Sequence, residues 1–216
     1  MGVCEIKSLT RDYGNGRGVF NLSFSINQGE VFGFLGPNGA GKTTTIRHLM
    51  GYLKPEKGYC TIGGKDCWKD RADIQKTLGY IPGEMVFFDD MTGTEFLSFM
   101  SKYRKTNSNG RIKELLDRFE LDPRSKLKKM SKGMKQKVGI VVAFMHDPEV
   151  LILDEPTSGL DPLMQNRFIE LVLEEKAKGK TILMSSHMFE EVERTCDRVY
   201  ENPDFKRHIT EYIDNL

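Results

Sequence analysis

The chain has 216 residues, enough for one large domain or two small lobes around a sizeable core. Its 32 Lys and Arg balance 31 Asp and Glu, so no global charge points to nucleic acid or to a lipid surface. Four cysteines (Cys4, Cys60, Cys67, Cys196) lack the C-x-x-C spacing of zinc or redox sites and read as reduced thiols of a cytosolic protein. No targeting segment is expected at the N-terminus, where Glu5, Arg11 and Asp12 come early, and no apolar run approaches the ~20 residues that span a bilayer.

Residues 3–9 and 19–27 alternate apolar and polar, as in Phe20-Asn21-Leu22-Ser23-Phe24-Ser25-Ile26. Period two predicts antiparallel strands with one exposed face, joined by a turn at residues 14–18. Val31-Phe32-Gly33-Phe34-Leu35 is a continuous apolar run and predicts a buried parallel strand. It leads into Gly36-Pro37-Asn38-Gly39-Ala40-Gly41-Lys42-Thr43, the spacing G-x-x-x-x-G-K-[ST] of a phosphate-binding P-loop. Glycines let the backbone curl so that successive N–H groups face one phosphate chain. Lys42 reaches the β- and γ-phosphates as a point charge, and the Thr43 hydroxyl ligates Mg2+. Residues 44–50 read as a helix whose positive end faces the phosphates. A strand over 59–62 turns at Gly63-Gly64, and another over 78–81 ends at Pro82-Gly83.

The middle of the chain changes period. Phe96, Leu97 and Met100 share one face of a predicted helix over 94–103, and Ile112, Leu115, Leu116 and Phe119 share a face of another over 111–119. These predict a helical lobe at residues 88–135, inserted between a first catalytic part at 1–87 and a second at 136–216. Six lysines lie between 126 and 137. A helix over 131–145 then runs into Val150-Leu151-Ile152-Leu153-Asp154-Glu155, an apolar strand ending in two acids. Asp154, at the C-terminal end of a parallel strand, suits Mg2+ through a water, and Glu155 is placed to orient or deprotonate an attacking water. Residues 181–185 form one more buried strand, with His187 just beyond it. The predicted class is α/β: a P-loop NTPase core, an N-terminal antiparallel β subdomain and an inserted α-helical lobe.

With these parts in this order, the chain resembles the nucleotide-binding subunit of a bacterial ABC transporter, of the exporter kind whose channel is a separate polypeptide. The resemblance covers residues 3–199. It implies that Tyr13 stacks on adenine and that Asn38, Gly39, Ala40, Gly41, Lys42, Thr43 and Thr44 bind the phosphates. It implies Asp154 and Thr43 for Mg2+, Glu155 as catalytic base, and His187 as the switch histidine on the γ-phosphate. Met130-Ser131-Lys132-Gly133-Met134 stands where the family has Leu-Ser-Gly-Gly-Gln, so Ser131 and Gly133 are expected to meet the ATP of a facing subunit, as is the 158–161 loop with Asp161. The resemblance further implies a homodimer or heterodimer of cassettes, a separate transmembrane subunit, ATP and Mg2+ as ligands, and a peripheral place on the inner face of the cell membrane. No nucleic acid partner is expected, because the ribosome-directed and DNA-repair members have two cassettes or a long coiled coil.

Two departures bear on function. The family has Gln after the segment Gly79-Tyr80-Ile81-Pro82, and this chain has Gly83, then Glu84. Glycine offers no ligating side chain, so Glu84 is the candidate replacement at Mg2+. Beyond Cys196-Asp197-Arg198-Val199 the chain turns polar, and Pro203 argues against a buried strand there. An alternative reading, favoured by Gly83, is a regulatory module that binds ATP and barely hydrolyses it; intact Glu155 and His187 oppose it.

Overall fold

A computed structural model describes residues 2–88 and 90–201. In chain order its strands are β1 (Cys4–Asp12), β2 (Gly18–Ile26), β3 (Val31–Leu35), β4 (Lys57–Ile62) and β5 (Lys65–Asp66), followed by β6 (Leu78–Ile81), β7 (Val150–Asp154), β8 (Thr181–Ser186) and β9 (Arg198–Glu201). The alternating segments form an antiparallel sheet, order β2-β1-β4-β5, with Cys4 opposite Ile26 and Ile6 opposite Phe24. Gly63-Gly64 makes the predicted two-residue turn, since Ile62 pairs with Lys65 across it. The continuous apolar runs form a parallel sheet, order β6-β7-β8-β3-β9. Every residue of β3 and β8 is buried, as expected of strands covered on both faces.

The strands' period of two splits the core into two apolar clusters. Phe32, Phe34, Ile152 and Leu183 point toward the antiparallel sheet and helix α1 (Lys42–Leu49), meeting Ile6, Leu9, Ile46 and Leu49. Leu151, Leu153, Ile182 and Met184 point the other way. There they meet the helices α3 (Gly93–Arg104), α4 (Asn109–Arg118), α5 (Lys132–Phe144) and α6 (Pro162–Ala177) through Phe96, Leu115, Val138, Phe144 and Phe168. Helices α2 (Arg71–Thr77) and α7 (Phe189–Thr195) complete the order. Sequence periodicity located α1, α3, α4 and α5 but not α2, α6 or α7. α3 starts with a full capping box, Thr92 and Glu95 each bonding the other's backbone N–H. A Cβ at Gly33 would sit 2.7 Å from Val192 Cγ1, so glycine lets α7 lie directly on β3.

Burial pushes the Cys4 and Cys60 thiols up to about 12, and all four cysteines are unpaired, as the spacing implied. Glu175 is a buried acid on α6 held by Arg111 of α4 at 2.5 Å and Lys178 at 2.7 Å, a charged tie between the two helices.

The sequence argued against a buried strand past Val199, and what stands there is an edge strand with Arg198 and Val199 exposed. Residues 198–201 do form a strand: β9 pairs in parallel with β3, matching Phe34 with Tyr200. Tyr200 packs edge-on against Phe34 at 5.2 Å and near Phe24 at 5.6 Å. The polar sequence around it concealed a side chain whose apolar partners lie far away in the chain. Pro203 and the rest of the expected C-terminal departure lie outside the described residues. Tyr200→Ala is expected to lower stability by about 1–3 kcal/mol, less than a fully buried aromatic because the side chain is only partly buried. A shift in the urea midpoint with unchanged slope is the measurement.

Candidate functional site

The loop after β3 wraps around one lysine. Gly36 N–H donates to Ser186 O at 3.2 Å, joining the loop's start to the end of β8. Gly41, at φ +83, begins α1 in the left-handed region, and a Cβ there would lie 2.8 Å from Val19 Cγ2; both facts require glycine. Lys42 is 5% exposed. Its ammonium donates to the carbonyls of Gly36 at 2.5 Å and Pro37 at 3.1 Å and pairs with Glu155 at 3.1 Å.

A cleft of about 340 Å³ opens beside this lysine, and Tyr13, Asn38, Gly39, Gly41, Thr43, Thr44 and Glu155 all line it. The structure thus gathers most of the sequence-predicted residues in one place. It adds Arg17, which no motif indicated. Arg17 sits in the 14–18 turn, and its carbonyl accepts from Tyr13 N–H at 2.8 Å, so basic character inside a glycine-rich turn is the signal that was available. The Arg11 guanidinium lies 5.2 Å from the Tyr13 ring centre, a cation–π contact on this exposed aromatic. Ala40 lines a neighbouring cavity with Val19, Phe34 and Tyr200.

The acid pair is fixed by β8. Asp154 is fully buried; Oδ1 accepts from the Ser185 hydroxyl at 2.6 Å, and Oδ2 has no hydrogen-bond partner among the described residues. Glu155 sits at φ +49, an uncommon conformation for a side-chain-bearing residue, and its N–H is held by Ser185 O at 3.2 Å and Oγ at 3.1 Å. Its two carboxylate oxygens face different partners: Oε1 the Lys42 ammonium, Oε2 the His187 Nδ1 at 2.6 Å. Gly83 itself abuts the acid, since a Cβ there would lie 3.0 Å from Asp154 Oδ2. Glu84 is exposed and does not line the cleft.

These donors fit Mg2+. A buried carboxylate oxygen without a partner is costly unless something polar meets it, and Asp154 Oδ2 is such an atom. No cluster of three or more His, Cys, Asp or Glu capable of holding a metal exists among the described residues. One carboxylate and one hydroxyl suit an ion that keeps waters and takes phosphate oxygens.

Ser131, Gly133 and Asp161 do not line this cleft. Ser131 caps α5, accepting from Met134 N–H at 3.2 Å, and Asp161 caps α6, accepting from Met164 N–H at 3.0 Å. Both residue types therefore also serve the helix starts. The two segments touch: a Cβ at Gly133 would lie 2.6 Å from Gly159 O, and the Lys132 stem covers Gly159. Gln136, 4% exposed, donates from Nε2 to Pro156 O at 2.7 Å and ties α5 to the loop after Glu155.

The sequence model of the ABC transporter family matches residues 19–158. The chain belongs to the ABC transporter family. It is 38% identical over 202 residues to the linearmycin resistance ATP-binding protein LnrL of Bacillus subtilis, covering 91% of this chain and 65% of that protein. It is 38% identical over 200 residues to the bacitracin transport ATP-binding protein BcrA of Bacillus licheniformis, again 91% of this chain and 65% of the relative. The chain thus spans just under two-thirds of the length of these relatives. A solved ATP-binding subunit of an ABC transporter superposes with a TM-score of 0.81 at 34% identity, covering 93% of this chain and 86% of that one. The fold of this ABC transporter family member is therefore that of the ATP-binding cassettes, α/β with both sheets in place.

Gln136→Leu is expected to cost the cassette about 1–3 kcal/mol, because the buried Pro156 carbonyl loses its donor while the packing volume is kept. Thermal denaturation followed by far-UV circular dichroism measures it, with the native spectrum unchanged.

Proposed function

We propose that this chain binds Mg-ATP in the Lys42 cleft and hydrolyses it in a pair of cassettes, driving export through a separate membrane subunit. The observation that carries the reading is the position of Glu155, which touches both the P-loop lysine and His187. The chain is an ATPase in this reading. Tyr13 stacks on the base, the 38–44 backbone and Lys42 bind the phosphates, and Thr43 and Asp154 hold Mg2+, which neutralises phosphate charge when bound. The γ-phosphate shares the Lys42 ammonium with Glu155, leaving that carboxylate to orient water for in-line attack. The bond to Glu155 occupies His187 Nδ1, so Nε2 is the nitrogen left for the γ-phosphate.

Ser131, Gly133 and Asp161 lie apart from the cleft, which supports a role toward the nucleotide of a facing cassette, in a homodimer or heterodimer. The exposed apolar side chains Val86, Phe88, Phe99 and Tyr103 are suited to docking a membrane partner. No helix among the described residues is long and apolar enough to cross a membrane. A peripheral place on the inner membrane face follows from the partner. Residues 88–135 would then move as a helical lobe between catalytic parts at 1–87 and 136–216. LnrL and BcrA, named for linearmycin resistance and bacitracin transport, favour export.

A second reading keeps support from Gly83, whose missing side chain faces Asp154: a regulatory cassette that closes on ATP and barely turns over. Glu155→Gln separates the two. The ATPase reading expects a fall in turnover of about 10²- to 10⁴-fold with ATP retained in a dimer, scored by phosphate release and gel filtration with labelled ATP. A wild-type chain that retains ATP but releases no phosphate, even with its membrane subunit, would establish the regulatory reading instead. Glu84→Ala is expected to weaken Mg2+-dependent hydrolysis if the 83–84 segment shifts toward Asp154; an unchanged Mg2+ titration would remove Glu84 from the site.

A further inference from the structure

Glu191 lies on α7 outside the cleft and is 4% exposed. It makes no ion pair among the described residues, although burying an unpaired acid is costly. Its one hydrogen-bonded oxygen is Oε2, which accepts from the Ser186 hydroxyl at 2.6 Å. That same Ser186 oxygen accepts from the Met188 N–H at 3.0 Å. The residues on both sides of His187 are therefore held through a single buried carboxyl group.

The far side of the group faces a cavity of about 240 Å³, which Thr157, Met188 and Glu191 line together. Thr157, just before the 158–161 loop, brings a second hydroxyl close to the Glu191 carboxyl. Burial pushes the Glu191 carboxyl up from the ordinary glutamate value, and the Ser186 hydroxyl opposes the shift. Packing alone needs no acid here, because Val192 and Thr195 already bury this face of α7.

We propose that Glu191 is a positioning residue: through Ser186 and Met188 it sets the backbone around His187 and so holds the imidazole against Glu155. Its effect on turnover rests on the hydrolytic reading of Glu155 and His187 above; its effect on geometry does not.

Two readouts on the full chain test this. The first is kcat and KM for Mg-ATP in Glu191→Ala, Glu191→Gln and Ser186→Ala. Misplacing a reacting group by about an ångström costs on the order of 10- to 100-fold, so the alanine variants should lose that much kcat with KM within about twofold. Glutamine still accepts the Ser186 hydroxyl and should recover most of the loss. The Glu191→Ala, Ser186→Ala double variant should be no worse than either single one, because both act through one bond. The second readout is the nitrogen-15 signal of the His187 ring, assigned with His187→Ala. In Glu191→Ala it should move toward its position in Glu155→Ala, the variant that lacks the contact directly. An unmoved signal, or a glutamine variant as impaired as alanine, overturns the proposal. Should Glu191→Ala not fold, Ser186→Ala decides both readouts. A wild-type chain without turnover would count against the hydrolytic reading alone, since the ring signal still decides the positioning.

Discussion

The Glu155 carboxylate is the junction on which the site depends. One oxygen meets Lys42 and the other meets His187, so three segments remote in sequence converge on a single group. Holding it there requires an uncommon backbone conformation, and Ser185 stabilises that conformation by receiving the Glu155 N–H on both its carbonyl and its hydroxyl. Ser185 also bonds Asp154, so the strand-end geometry of β8 sets both acids at once.

That convergence follows from the order of the parallel sheet. β7, β8 and β3 are neighbours, and parallel strands bring their C-terminal ends to the same edge. The P-loop leaves one end, the acid pair another and the segment carrying His187 the third. Alternation along the same strands supplies the two apolar clusters, so the residues that position the site also hold the helices over it. Glycine allows two close approaches near the site: α7 onto β3 at Gly33, and the 83 segment onto Asp154 at Gly83.

The Ser131 and Asp161 segments are built alike. Each caps a helix, and each sits away from the P-loop cleft while its neighbours Gly133 and Gly159 touch. A cap orients helix N–H groups and leaves the others of that turn facing outward, the arrangement that meets an anion. The cap geometry by itself is fully explained by helix stability.

Local chemistry was legible in the sequence. The P-loop spacing, the acid pair at a strand end, His187 after a buried run and the period-two strands each depend on neighbouring residues, and each sits where the pattern placed it. Which cluster a residue of the parallel strands joins alternates with residue number, because successive side chains point to opposite faces of the sheet. What only the tertiary structure decided is who meets whom. β9 was hidden because Tyr200 packs against Phe34 and Phe24, partners that no local pattern reveals. Arg17 joined the cleft because a turn folds over the P-loop, and Gly83, rather than Glu84, met Asp154 because β6 ends beside β7. Spacing encodes the conformation of a segment, whereas contacts between remote segments depend on how the strands are ordered in the sheet.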